Sequence, residues 1–170
     1  MTANSTRRKT AALPASSRPG DPDFYRGDAF EINESVGYML KQLRSAMERA
    51  IDTEMDEFDL TGVQWGPLLM IDRGLGSTAA ELARVGCVDT GAMTRMLNRL
   101  EAKGLLRRKP CPKDRRVMQL ELTDEGQRLC YWIPFGLSRV QNAMLRGFSK
   151  SEVETLKSLV RRMLVNSDRK

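Results

Sequence analysis

The side chains with the clearest chemical purpose lie between Thr90 and Asn98. Met93, Met96, Leu97 and Leu100 recur at the i, i+3, i+4, i+7 spacing of one buried helix face, which predicts a helix over Asp89 to Lys103. Thr90, Gly91, Thr94, Arg95 and Asn98 then fall on the opposite face, which is small, polar and cationic. The chemistry open to such a set is hydrogen bonding by hydroxyls, an amide and a planar guanidinium. A helix with this face that follows a tight turn has the geometry to lie in the roughly 12 Å major groove of DNA and reach base edges.

Catalysis finds no comparable set. The 170 residues include no histidine, which removes the commonest metal ligand and the usual general base. Nor is there a phosphate-cradling glycine loop or a metal-spaced ligand cluster, so no catalytic residue, metal ligand or cofactor is assigned and the chain is read as a non-enzyme.

Charge supports a polyanion as partner. From Arg84 to Arg116 ten Lys or Arg stand against three acids, a net +7, whereas Glu31 to Asp59 carries a net −5. One region should be positive and another negative, a polarity suited to binding that is driven by counterion release. The remaining composition bounds the setting. No run approaches about 18 apolar residues, so no membrane span is expected. Arg7, Arg8 and Lys9 are followed by no apolar stretch, which argues against export. Three cysteines, Cys87, Cys111 and Cys130, at irregular spacings argue against a disulfide framework and for a reducing cytoplasm.

The elements that must position the polar face can be read in order. Residues 1–27, rich in Ser, Thr, Ala, Arg and Pro, read as a mobile tail, with Phe24, Tyr25 and Phe30 as the first candidates to dock. Ile32, Val36, Leu40, Leu43, Met47 and Ile51 form one helical stripe over Glu31 to about Met55. Thr61 and Gln64 match a capping box for a second helix that carries Trp65, Leu68, Leu69 and Ile71 inward, with Pro67 expected to distort it. Ser77 is the expected N-cap of a short helix from Thr78 to Val85, Gly86 breaks it, Asp89 caps the next helix and Gly104 stops it.

After Gly104 the apolar period changes from helical to two. Leu106, Arg108 and Pro110 run out, and Met118, Leu120 and Leu122 return, as in a hairpin with one face on the core. Its polar, cationic tip reads as a β-wing reaching the DNA backbone or minor groove. Thr123 caps a long helix whose expected inward stripe is Leu129, Trp132, Ile133, Leu137, Val140 and Met144, kinked at Pro134. Ser149 and Glu152 form a second capping box, opening a final helix with Val153, Leu156, Val160 and Met163 on one side. Too little of the domain remains to cover that stripe, and pairing with a second copy would bury it.

These residues resemble the MarR family of winged helix-turn-helix regulators over roughly Val36 to Leu164. The run from Val88 to Leu105 and the wing pattern of Asp114, Arg116, Leu120, Leu122, Thr123 and Gly126 carry the likeness. The resemblance implies a mainly α fold with a small β-wing. Residues 28–56 and 123–170 would be dimerisation helices and 61–122 the winged DNA-binding region. It implies a cytoplasmic homodimeric repressor on a pseudo-palindromic operator in double-stranded DNA, released by a small aromatic carboxylate or phenolic effector. By position, Thr90, Gly91, Thr94, Arg95 and Asn98 would face the major groove, and Ser77 and Thr78 would lie at a phosphate. Arg115 or Arg116 would enter the minor groove, with Asp114 orienting an arginine. Tyr38, Met39, Trp65 and Leu68 are the candidates for the effector pocket. The alternative is a thiol-based sensor using Cys87 or Cys111.

Overall fold

The computed structural model describes residues 22–112, 114 and 116–167, in two compact units, Met1–Leu43 and Arg44–Lys170. Most of the expected tail, residues 1–21, lies outside the described residues.

In the first unit, residues Gly27–Ala29 and Ile32–Glu34 make single 3-10 turns, and the first helix, α1 (Val36–Met55), begins five residues later than the apolar stripe suggests. Ser35 sets that start. Its hydroxyl accepts from the Tyr38 N–H at 3.2 Å and its carbonyl from the Met39 N–H at 3.0 Å, as an N-cap does. The Tyr25 hydroxyl accepts from the Val36 N–H at 3.0 Å, satisfying another free donor of the first turn. Tyr25 and Phe30 meet at a tilt with ring centroids 5.9 Å apart, whereas Phe24 is 83% exposed.

The second unit holds the core. The C-terminal half of α1 contributes buried Ile51 and Met55 and runs into a 3-10 turn at Asp56–Phe58. The Thr61 N–H donates to Gln64 Oε1 at 3.0 Å, one half of the expected capping box, yet α2 covers Trp65–Asp72, so the box closes a turn ahead of the helix. Pro67 is therefore the third helical residue, where a backbone donor has no partner inside the helix, and the anticipated distortion loses its cause. Helix α3 (Ala79–Val85) is capped by Thr78 and not by Ser77, a shift of one residue. The Asp89 carboxylate accepts from the Ala92 N–H at 3.0 Å and opens α4 (Thr90–Ala102), which buries Met93, Leu97 and Leu100. Gly104, at φ +71°, takes the left-handed conformation that ends α4.

Strands β1 (Leu106–Pro110) and β2 (Met118–Leu122) pair antiparallel, with Leu106 opposite Leu122, Arg108 opposite Leu120 and Pro110 opposite Met118. The base of this inward row is buried, while Met118 near the tip is 43% exposed. Thr123 ties the base together. Its hydroxyl donates to the Gly104 carbonyl at 2.7 Å and accepts from the Gly126 N–H at 3.1 Å, so one side chain ends α4's turn and starts α5 (Asp124–Met144).

Helix α5 stays helical through Pro134 and buries Cys130, Ile133, Gly136 and Val140. Trp132, expected inward, is 53% exposed, because it lies one residue, about 100°, off the line through Cys130, Ile133 and Gly136. It joins Tyr131 and Phe135 in an exposed aromatic cluster. The capping box of Ser149 and Glu152 forms as expected and opens α6 (Lys150–Ser167), which has no buried residue.

Candidate nucleic-acid interface

The sequence Thr-Gly-Ala-Met-Thr-Arg-Met-Leu-Asn over residues 90–98 divides cleanly in the structure. Met93 and Leu97 are sealed in the core, and Thr90, Gly91, Thr94, Arg95 and Asn98 are all exposed. The first helix of the helix-turn-helix is tied down at its N-terminus. Glu81 accepts from the backbone N–H groups of Ser77 at 2.8 Å and Thr78 at 3.1 Å, and Thr78 Oγ1 accepts from the Glu81 N–H at 3.3 Å. The Ser77 N–H, helped by Thr78 and the two hydroxyls, holds the Glu81 carboxyl below the usual carboxylate range.

These bonds separate the two residues expected at a phosphate. The Ser77 hydroxyl donates to Glu81 at 3.3 Å, and the Ser77 carbonyl accepts from the Leu120 N–H at 2.7 Å, so Ser77 fastens the wing strand to the helix pair. Thr78 uses its oxygen to accept from the Glu81 N–H and caps α3. A similar commitment shapes Thr94, whose hydroxyl donates to the Thr90 carbonyl at 2.8 Å and so faces solvent as an acceptor.

The cations also sort themselves. Arg107 and Lys109 share Glu121, at 3.2 and 2.6 Å, and their proximity, Lys109's foremost, lowers the Glu121 pKa. Lys103 pairs with Asp59 at 3.1 Å, and Arg108 pairs with Glu101. Among the described residues Arg84, Arg95, Arg99 and Arg116 make no ion pair, which leaves their charge for an external anion.

At the wing tip the Asp114 carboxylate accepts from the Arg116 backbone N–H at 3.0 Å, and the Val117 N–H donates to the Asp114 carbonyl at 2.9 Å. Asp114 thus shapes the turn through backbone, and the Arg116 side chain is exposed. Arg115, the other arginine expected at the minor groove, lies outside the described residues, as does Lys113.

Sequence reasoning missed Arg108. It donates to Glu101 and, at 2.7 Å, to Asn98 Oδ1, bracing β1 against α4. The available signal was the period-two pattern itself: a cation alternating with Leu106 on the inward face needs an acid or amide behind it.

The four effector candidates fall in both units. Tyr38 and Met39 belong to the first unit, half-buried and 45% exposed respectively. Leu68, in the second unit, is wholly buried. Trp65 is half-buried, and its indole N–H is enclosed without a hydrogen-bond partner among the described residues.

Comparison with known proteins matches this geometry. The MarR family model fits residues 58–117, from the end of the 3-10 turn through the wing tip. The multiple antibiotic resistance protein MarR of Escherichia coli K12 is 29% identical over 138 residues, which span 81% of this chain and 96% of that protein. A mutant of E. coli MarR complexed with operator DNA superposes with a TM-score of 0.71 at 29% identity, covering 76% of this chain and 93% of that one. The transcriptional repressor CouR bound to a 23-mer DNA duplex gives a TM-score of 0.71 at 25% identity, covering 78% and 94%.

Proposed function

Because the chain belongs to the MarR family of winged-helix, DNA-binding transcription regulators, we propose that it works as a homodimeric repressor on a pseudo-palindromic operator, released by a small aromatic carboxylate or phenolic effector. The observation that carries the DNA part is the exposed face of α4, where Thr90, Gly91, Thr94 and Arg95 stand clear of solvent-excluding neighbours on a helix pinned by Asp89 and Gly104. Arg95 has no ion pair among the described residues, so its fork can address a guanine edge. Arg116, Arg84 and Arg99 supply phosphate or groove contacts that set position without reading sequence. Relatives solved with operator DNA and with a 23-mer duplex support the same reading.

Two copies would place their α4 helices in successive major grooves about one helical turn apart. An effector that favours another spacing of the two lowers affinity through its preference for that state. The enclosed, unpartnered Trp65 N–H supports an effector bearing an acceptor oxygen, since an orphaned buried donor is costly until something accepts from it. Thiol control through Cys87 or Cys111 has a single observation in its favour, the exposure of Cys87.

Competition binding tests the proposal. Arg95→Ala should weaken operator binding by about 1–3 kcal/mol and leave affinity for unrelated duplex unchanged. Equal losses on both DNAs would make Arg95 a phosphate contact. Addition of an aromatic acid such as benzoate should release wild-type protein from operator and raise its melting temperature. A panel of such acids that does neither would remove this effector class.

A further inference from the structure

One rung of the hairpin is clamped from both sides. Arg108 on β1 stands opposite Leu120 on β2. On the β2 side the Leu120 N–H donates to the Ser77 carbonyl at 2.7 Å, and the Ser77 N–H is itself bonded to Glu81 of α3. On the β1 side the half-buried Arg108 guanidinium donates to Asn98 Oδ1 at 2.7 Å and to Glu101, two residues one turn apart on α4. A planar fork held at two points fixes direction as well as distance, which a single flexible contact does not. Farther out the hairpin loses such ties. Every described residue from Lys109 to Gln119 is exposed or half-buried, and among the described residues their bonds stay within the hairpin. The tip that carries Arg116 projects from the clamped rung as a lever, with its angle to α4 set by Arg108 and Ser77.

Resting on the reading of α4 and the wing as two parts of one DNA interface, we propose that Arg108 is a positioning residue that couples the wing tip to the recognition helix, so that Arg116 and the α4 face meet the duplex together. Once one part of a rigid body is bound, the other is already in place, whereas a loose arm must give up its freedom to dock. Arg108 needs no DNA contact of its own for this role, since Glu101 already pairs its charge. Its effect on affinity passes through Arg116.

Double-mutant cycles on operator affinity, with the full chain, test the coupling. Arg108→Met with Glu101→Gln cuts the clamp at unchanged net charge. In that background the loss caused by Arg116→Ala should be about threefold or more smaller than in wild type, whereas distant residues without shared partners simply add. Hydroxyl-radical footprints should lose the protection given by the wing and keep that given by α4. Arg108→Glu with Glu101→Arg reinstates the ion pair in reverse, and Asn98 can turn its NH2 group to the carboxylate, so this exchange should restore the coupling where a merely destabilised domain would not. Arg108→Lys can reach only one of the two acceptors and should lose part of the coupling; this milder change carries the test if the cut variant does not fold. Equal losses from Arg116→Ala in every background overturn the proposal and leave the wing as a DNA contact. If Arg116→Ala costs nothing in wild type, the wing reading falls and this inference with it.

Discussion

At the scale of single residues, the interface is set by which hydrogen-bonding groups are already spent. Ser77, Thr94 and Asn98 look alike in sequence as polar groups near a helix. In the structure Ser77 serves Glu81 and β2, Thr94 serves the Thr90 carbonyl, and Asn98 serves Arg108. Glu121 does the same for charge by holding Arg107 and Lys109. Its carboxyl is stabilised in the ionised form, so this pairing is complete above the ordinary carboxylate range and is lost as pH falls through the lowered pKa. Glu121→Gln should free both cations at neutral pH. Affinity for unrelated duplex should rise, and the slope of log affinity on log salt should steepen by about one to two. An unchanged slope would mean that these cations do not reach phosphate. Cysteine follows the opposite logic: burial pushes the Cys130 thiol up to about 12, so it stays protonated and unreactive, while Cys87 is exposed.

At the scale of elements, the wing is held by its base. Thr123 bonds both Gly104 and Gly126, Leu120 bonds Ser77, and Arg108 reaches α4. Gly126 matters because α5 starts directly against the chain entering β1: a Cβ at this position would stand 2.0 Å from the Leu105 carbonyl oxygen. Gly126→Ala should therefore destabilise the protein by about 1–3 kcal/mol, the usual range for overpacking, and loosen the hairpin. Urea unfolding measures the first effect and amide exchange in β1 and β2 the second. Wild-type stability would show that the base of the wing yields without cost. The helix-turn-helix and hairpin were legible in sequence because caps, glycine stops and apolar period are local signals. Asp89, Gly104, Thr123 and the Ser149 capping box stand as read. The starts of α1 and α2 were not legible, since Ser35 and the turn before Trp65 compete with longer apolar patterns.

At the scale of the molecule, α6 has no fully buried residue among the described ones. Leu156, Leu159, Met163 and Leu164 are 41% to 61% exposed, Val153 and Val160 are half-buried, and none of the helix is fully buried. A cluster of that size on one helix marks a protein interface more often than plain surface. Under the proposed dimer, Val160→Glu should place a charge in the seam and convert dimer to monomer or unfolded chain, as read by sedimentation at several concentrations. A folded dimer of unchanged affinity would move the seam elsewhere. The exposed rings of Tyr131, Trp132 and Phe135 belong to the same scale: Trp132, expected inward, lies off the buried line of Cys130, Ile133 and Gly136.

The amino-acid order alone determined the kind of elements, their order and the identity of the polar face on α4, because each depends on periods and caps spanning a few residues. Tertiary structure decided which polar groups on that face remain free, since Arg108 meets Asn98 and Ser77 meets Leu120 across separations that no local pattern encodes. It also buried Leu68 wholly and turned Trp132 outward. Burial is a property of the whole packed core: a side chain's neighbours are fixed only when every element that could cover it has taken its place.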